Sequence, residues 1–465
     1  MADSIPPDTL VHLAPELVEL ILSYLTPKEL LNFGQTCQRA SAFVRPSNKV
    51  LWKAAYLQIF DNPLHVWNQL LPSARAKNRD RETKWDWHYE VQRNYLAFNA
   101  VCQTSNEALL ADPEKVITAC QDLIDTASHS TDGDGQCVPR SRNIDFLDRL
   151  FRTAPNPEKI IHDYHTDIGS LSLPLEFNFD TTRPMTRSML LRQAEIPEWA
   201  SRFHIFYGMT TREEESLRSK GLARGLAYDW TVTGHAAEYG PFLRDGSGAV
   251  NWPILEAVMS LMMRIFENAK GTLYRVPKGF KHNIPYLLPL DPSYPDDWAG
   301  VNRSWVGTYA FLDYRALVHY NFANNLEYPL DLGSYDEAHG DLMRLKLSLS
   351  DPNELQDDSR LQTKLPRGSD LPVLYFTGTS NGRPIRRPSI NVRGFAALIP
   401  GSRQVRWRFI IRYAGADQWQ LDGVQPAGVR SGGIYGLWSH VEHEDHGPTG
   451  PFCYFPLEMV GRKTF

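Results

Sequence analysis

The C-terminal third of the chain is written in a two-residue period, which leaves it few folds. In "VRWRFIIRY", Val405, Trp407, Phe409, Ile411 and Tyr413 fall on one side and Arg406, Arg408 and Arg412 on the other, broken only by Ile410. Leu345, Leu347 and Leu349 alternate in the same way with Lys346, Ser348 and Ser350. Alternation of this kind puts successive side chains on opposite faces of a strand, one packed and one solvated. The runs "LPVLYFTGTS", "INVRGFAALI", "VRWRFIIRY" and "QWQLDGVQ" are separated by turn residues at Asn381 and Gly382, at Pro400, Gly401 and Ser402, and at Ala414, Gly415, Ala416 and Asp417. Short strands joined by tight turns pair as an antiparallel meander, and a sheet of this many strands most simply removes its edges by closing into a barrel. The pattern therefore predicts an antiparallel barrel over residues 291–460, with Arg406, Arg408 and Arg412 on its wet face.

The N-terminus obeys a different period. Leu13, Leu17, Leu20, Ile21, Tyr24 and Leu25 recur at helical spacing, and Pro15 stands near the helix start, where a missing N–H costs least. Thr26, Pro27 and Glu29 then supply a cap hydroxyl, a first-turn proline and a carboxylate able to reach back to the cap, so a second helix runs through Leu30, Leu31 and Phe33. A third opens at Asn48 and continues through Leu51, Trp52, Tyr56 and Phe60. Three short helices bury only a small core, which leaves apolar surface for a partner.

The run "LVHLAPELVELILSYLTPKELLNFGQTCQRASAF" followed by "LWKAAY" resembles the F-box, with Ala14 where that pattern usually has Leu. The resemblance implies that the module, over residues 8–60, binds a Skp-type adaptor that bridges to cullin and RING subunits. It assigns the adaptor contact to Leu13, Pro15, Glu16, Leu17, Ile21, Leu25, Leu30, Leu31, Cys37, Leu51 and Trp52. From about Asp296 to Phe455 the chain also resembles the C-terminal region of fungal F-box proteins, and "GVNRSWVGTY" resembles the opening strand of calycin barrels, with an unusual Gly-to-Trp spacing. That likeness implies a substrate-receiving domain and hands over no catalytic residue.

Composition narrows the remaining classes. With 49 Lys and Arg against 54 Asp and Glu there is no bulk charge to favour nucleic acid or a membrane surface. The five cysteines form no C-x-x-C pair, which fits reduced thiols in the cytoplasm or nucleus, and neither a signal segment nor a membrane-length apolar run is expected. Between Asp61 and Asp112, Trp85, His88, Tyr89, Gln92 and Leu96 predict a helix packing behind the F-box, within a helical spacer over residues 61–143. The aromatic and basic residues there are interspersed with acids, so a solvated helical face is the better reading than a nucleic-acid surface. Residues 128–142 read as a loop, and residues 144–290 as a mixed α/β region packing on the barrel. That region includes a short helix at 144–150, strand-like "FHIFYGM", a charged helix at 213–222 and a long apolar helix from Trp252 to Phe266.

Candidate chemistry is sparse. His440, His443 and His446 stand with Glu442, Glu444 and Asp445, but their spacing fits no standard zinc motif, and no metal or cofactor is expected. "GVRSGGIYG" offers glycines for phosphate beside Arg430, or simply for tight bends. The fold class is α+β: a three-helix F-box, a helical spacer and a calycin-like barrel. The expected function is a non-catalytic substrate receptor of a ubiquitin ligase, whose protein target is unknown. Trp305, Tyr309, Arg406, Trp419, Arg430 and Trp438 are the candidate target contacts, as aromatic anchors beside fixed charges. The alternative is a ligand-binding or enzymatic barrel whose F-box governs its own turnover.

Overall fold

In a computed structural model, the structure describes residues 10, 13–104, 112–128, 130–131, 137–138, 140–158, 160–161, 197–269, 274–322, 332, 335, 337–340, 342–380, 390–444 and 446–462. The chain forms two compact units, Met1–Leu70 with Arg75–Pro157 and Leu71–Ala74 with Glu158–Phe465. The expected turn at Asn381 and Gly382, part of the 128–142 loop and Asp445 lie outside the described residues.

Among the described residues the first unit is helical, apart from a two-residue pairing of Ser130–Thr131 with Cys137–Val138. Its described helices are α1 (Pro15–Leu22), α2 (Pro27–Gly34), α3 (Gln38–Phe43), α4 (Lys49–Ile59), α5 (Pro63–Gln69), α6 (Pro72–Thr83, whose first three residues are grouped with the second unit), α7 (Trp87–Cys102), α8 (Pro113–Asp125) and α9 (Arg142–Thr153). Local chemistry sets their starts. Thr26 and Glu29 form the expected capping box on α2, with the Thr26 N–H donating to the Glu29 carboxylate at 2.7 Å. Asn48 caps α4 through Leu51 N–H at 3.2 Å. The short α3 falls between the helices read from sequence, and its cap is the Cys37 thiol, which accepts from Ala40 N–H.

Asp61, at the end of α4, ties this unit together. Its carboxylate accepts from Ser128 N–H at 3.1 Å, Arg142 N–H at 3.0 Å and the Ser141 hydroxyl, while its own N–H donates to Asn143 Oδ1 at 2.8 Å. Beside it Tyr56, Phe60, Trp67, Trp85, Trp87, Phe98 and Phe146 pack as tilted and edge-on rings. The helix read from Trp85, His88, Tyr89, Gln92 and Leu96 exists as α7, but Tyr89 and Leu96 are exposed. Its buried face is Val91, Asn94, Ala97, Phe98 and Val101, a stripe of smaller residues that the large aromatics mask in the sequence.

In the second unit, α10 (Glu198–Tyr207), α11 (Thr211–Glu215), α12 (Leu217–Ala227), α13 (Trp230–Thr233) and α14 (Trp252–Asn268) form a helical part. The "FHIFYGM" run, expected as strand, is the end of α10. A short apolar run carries no period of its own, and here it is helical because Phe203, His204 and Phe206 all find burial. The charged helix expected at 213–222 is two helices, each begun by its own hydroxyl cap, Thr210 and Ser216. The long helix α14 is buried along nearly its whole length, Met259, Met262 and Met263 included.

Polar groups inside this layer are matched to one another. His204 lies between Glu256, at 2.6 Å from Nδ1, and Glu213, at 2.8 Å from Nε2, while Ser201 donates to Glu256 and Arg264 donates to Ser260. Burial would depress the His204 pKa, but the two carboxylates outweigh it and hold the imidazole protonated, raised to about 10. All of these groups are buried, so the network joins α10, α11 and α14 rather than meeting solvent.

The barrel has eight strands: β1 (Ser304–Phe311), β2 (Met343–Leu349), β3 (Leu374–Ser380), β4 (Ile390–Leu398), β5 (Val405–Tyr413), β6 (Ala416–Gln425), β7 (Ile434–His440) and β8 (Thr449–Pro456). Each pairs antiparallel with the next, and β8 returns to β1 in the register Cys453↔Thr308 and Pro456↔Trp305, closing the sheet. The short strand Ala338–His339 pairs antiparallel with the last residues of β1. Helix α15 (Tyr314–Phe322) lies in the β1–β2 connection and α16 (Pro352–Leu355) in the β2–β3 connection. The interior is filled by Trp305, Leu347, Phe376, Trp407, Phe409, Leu421, Trp438, Phe452 and Tyr454. Trp305 and Trp407 meet edge to face at 5.2 Å, and Phe409 lies 5.7 Å from Tyr454.

The alternation of β5 is as read, but its arginine face is not wet. Arg406 and Arg408 are each 3% exposed, and only Arg412 reaches solvent. Residues 355–365 fold over this outer face, where Leu355 and Leu361 cover Ile410, which explains the break in the alternation. Arg406 contacts Glu238 at 2.8 Å and Asp422 at 2.9 Å; Arg408 contacts Glu238 at 2.6 Å and Asp422 at 3.0 Å. Two guanidiniums and two carboxylates leave no net charge, and Thr363, Gln362 O and Gln420 complete the hydrogen bonding. Phe242 and Phe395 lie against the guanidinium faces. Glu238 and Tyr239 both adopt positive φ, 48° and 61°, a costly backbone for non-glycine residues that is held by these contacts.

Burial alone would raise the Glu238 carboxyl, but the Thr363 hydroxyl, Arg406 and Arg408 outweigh it and hold it down to about 2. Because that lies below the ordinary 4.5, its stabilising contribution is full above pH 4.5 and is lost as pH falls towards 2. Denaturant unfolding of the barrel, followed by near-ultraviolet circular dichroism, should show this loss in the parent and a flatter acid limb in Glu238→Gln. At pH 7 the variant should be less stable by about 3 kcal/mol, the scale for removing one partner of a buried pair. Equal stability of the two proteins at pH 7 contradicts this role.

Candidate functional site

The helices of the first unit divide the apolar residues of its N-terminus into an inner and an outer set. Val18, Leu22, Leu30, Leu51 and Trp52 are buried. Leu30, Leu51 and Trp52 were read from sequence as adaptor contacts, but burial confines them to holding the helices in place; Trp52 Nε1 donates to Arg45 O at 3.1 Å and its ring meets His88 at 4.6 Å. The outer set is Leu13, Leu17, Leu20, Ile21, Tyr24 and Leu31, with Leu17 at 50%, Ile21 at 41% and Tyr24 at 71% exposure. Pro15, Glu16 and Cys37 are also exposed, and Leu25 is half-buried. The helical spacing of Leu13, Leu17, Leu20, Ile21 and Tyr24 therefore traces the outward face of α1 and its flanks, while Val18 and Leu22 make the inward one. An apolar face of this extent on a short helix differs from singly scattered apolar surface residues.

The second unit treats its sequence candidates unevenly. Trp305 and Trp438 point into the filled interior, where Trp438 Nε1 donates to Ala310 O at 2.9 Å. Tyr309 and Trp419 are half-buried beside Trp438, at 6.0 and 5.0 Å. Arg406, expected on the solvated face, is enclosed by Glu238 and Asp422 and cannot reach a target; the cover comes from residues distant in sequence, which no strand pattern reveals. Arg430 lies apart, half-buried, with φ of 52°, its Nε donating to Leu288 O at 3.0 Å and its guanidinium over Tyr286. In "GVRSGGIYG", Gly428 and Gly432 take positive φ, and a Cβ on Gly428 would stand 2.9 Å from Arg403 O, so these glycines serve backbone bends.

The histidine loop is drawn apart onto separate partners. His443 stacks on Tyr239 at 4.1 Å, with its Nε2 3.2 Å from Gln420 Oε1; Glu442 pairs with Arg360; His446 packs against Phe322 and Trp230 at 4.4 and 5.1 Å. Among the described residues no three metal-binding side chains gather. The loop instead walls a cleft of about 200 Å³ with residues 230–239, lined by Trp230, His235, Tyr239, His443, Glu444 and His446. Sequence reading missed this cleft because its two walls are some two hundred residues apart; the clustered histidines were its one visible trace.

Among the described residues no helix is long and apolar enough to cross a membrane. No curated protein and no solved structure matches the chain. Residues 10–51 match the profile of the F-box domain, the same segment that carries the outward apolar face and the Thr26–Glu29 capping box. A helical F-box region followed by a closed eight-stranded antiparallel barrel makes this an α+β F-box-containing protein.

Proposed function

We propose that the chain is the substrate-recognition subunit of an SCF-type cullin–RING ubiquitin ligase, and that it works where that machinery is found, in the cytoplasm or nucleus. The observation that carries the reading is the outward apolar face of Leu13, Leu17, Leu20, Ile21, Tyr24 and Leu31 within the F-box segment. A Skp-type adaptor covers this face, and each large side chain removed from water contributes on the order of 1.5–3 kcal/mol before association costs. The adaptor links the chain to cullin and RING subunits, and the second unit receives the target. Ubiquitin transfer is done by the bound partners, while this chain raises the local concentration of target lysines.

The packing of the barrel favours this over a ligand-holding or enzymatic barrel. A lumen filled by Trp305, Trp407, Phe409 and Tyr454 has these rings where a small ligand would sit, so recognition belongs to the outer surface and the rims.

Replacing Leu17 and Ile21 by Asp places two charges in the adaptor contact without partners. Adaptor capture by the purified double variant should fall more than about a hundredfold. Its thermal unfolding should stay close to that of the parent, because both side chains are exposed. Undiminished capture contradicts the reading.

A further inference from the structure

The cleft between residues 230–239 and 439–449 is lined by aromatic rings, imidazoles, small hydroxyl residues and one described carboxylate. Trp230 and Tyr239 supply aromatic surface, and His235, His440, His443 and His446 supply imidazoles. Among the described lining residues Glu444 is the one carboxylate, and none is a lysine or arginine. The Glu444 side chain is exposed, and among the described residues no cation pairs with it. Neighbouring Glu442, by contrast, is already held by Arg360.

The walls are fixed by contacts that do not consume that charge. His443 is clamped between Ser439 and Gln420 and stacked within 6° of the Tyr239 ring plane. Burial pushes the His443 pKa down, which keeps its imidazole neutral. Trp230 is braced edge-on by Phe322 at 5.6 Å, and Tyr314 donates its hydroxyl to His446 O at 3.2 Å. Phe322, 60% exposed, and Tyr314 extend this aromatic surface beyond the cleft.

We propose that this cleft binds one basic side chain, a lysine ammonium or an arginine guanidinium, from an extended segment of a partner protein. Aromatic faces attract a cation through their quadrupole, and the Glu444 carboxylate at the rim supplies the opposite charge. The same carboxylate repels phosphate or an acidic side chain, for which the lining offers no arginine. Residues flanking the cation rest on Phe322 and Tyr314. The proposal depends on the receptor reading only for the source of the partner, which would then be the ligase target.

The test uses the full chain and four capped amino acids, the acetylated amides of lysine, arginine, norleucine and glutamate, titrated by ligand-observed NMR. Lysine and arginine probes should bind about fivefold or more tighter than norleucine, and glutamate weakest. Glu444→Gln, an exposed and conservative change, should remove most of the preference for the cations over norleucine. Trp230→Leu should weaken the cations more than it weakens norleucine, with thermal unfolding reporting whether that variant is folded. Equal binding of norleucine and lysine, tightest binding of glutamate, or an undiminished preference in Glu444→Gln overturns the proposal. Adaptor capture is measured on the same samples: its failure, with the cation preference intact, counts against the receptor reading and leaves the cleft assignment standing.

Discussion

The pairing of β8 with β1 is the constraint on which the second unit depends. It removes both sheet edges and commits eight strands to one enclosed interior. That interior is filled largely by indole and phenyl rings. Closure also fixes which strand face is outer, and on β5 and β6 the outer face carries Arg406, Arg408 and Asp422. Buried arginines need carboxylates, and Asp422 alone leaves one positive charge in excess. Glu238 supplies the second carboxylate from the region that precedes the barrel, at the cost of two consecutive residues with positive φ. The same bend carries Tyr239 into the wall of the cleft, so the charge balance of the barrel surface and the shape of that cleft share one piece of backbone.

What could be read from the sequence follows the range of the forces involved. The capping box at Thr26 and Glu29, the alternation of β5 and the helix at Trp252 depend on neighbours a few residues away, and each was legible. Closure of the barrel was legible as a consequence of strand number. The burial of Arg406 was not, because strand period tells inner from outer face and says nothing of what covers the outer one. Leu30, Leu51 and Trp52 carry the same lesson at the other end of the chain. A family pattern records residues that matter without separating those that make a surface from those that hold it up, and here only burial separates them. The "FHIFYGM" run is too short to carry a period that tells helix from strand, and in α7 the large residues Tyr89 and Leu96 face outward while smaller ones pack inward.

The two units present surfaces of contrasting character. The F-box segment offers an extended apolar face, the kind of surface that a permanent or slowly exchanging partner covers. In the second unit the polar cleft and the half-exposed aromatics suit brief, selective contacts with a segment of chain. That division fits the proposed receptor, with a constant adaptor and a changing target.

The account is tested most directly by quantitative proteomics on cells producing the parent chain or its Leu17→Asp, Ile21→Asp variant, with captured proteins identified and their cellular abundance measured. The account predicts that the variant loses the adaptor and cullin, keeps the remaining captured proteins, and lets those proteins accumulate. Loss of the captured proteins together with the adaptor, or their retention without any rise in abundance, would contradict it.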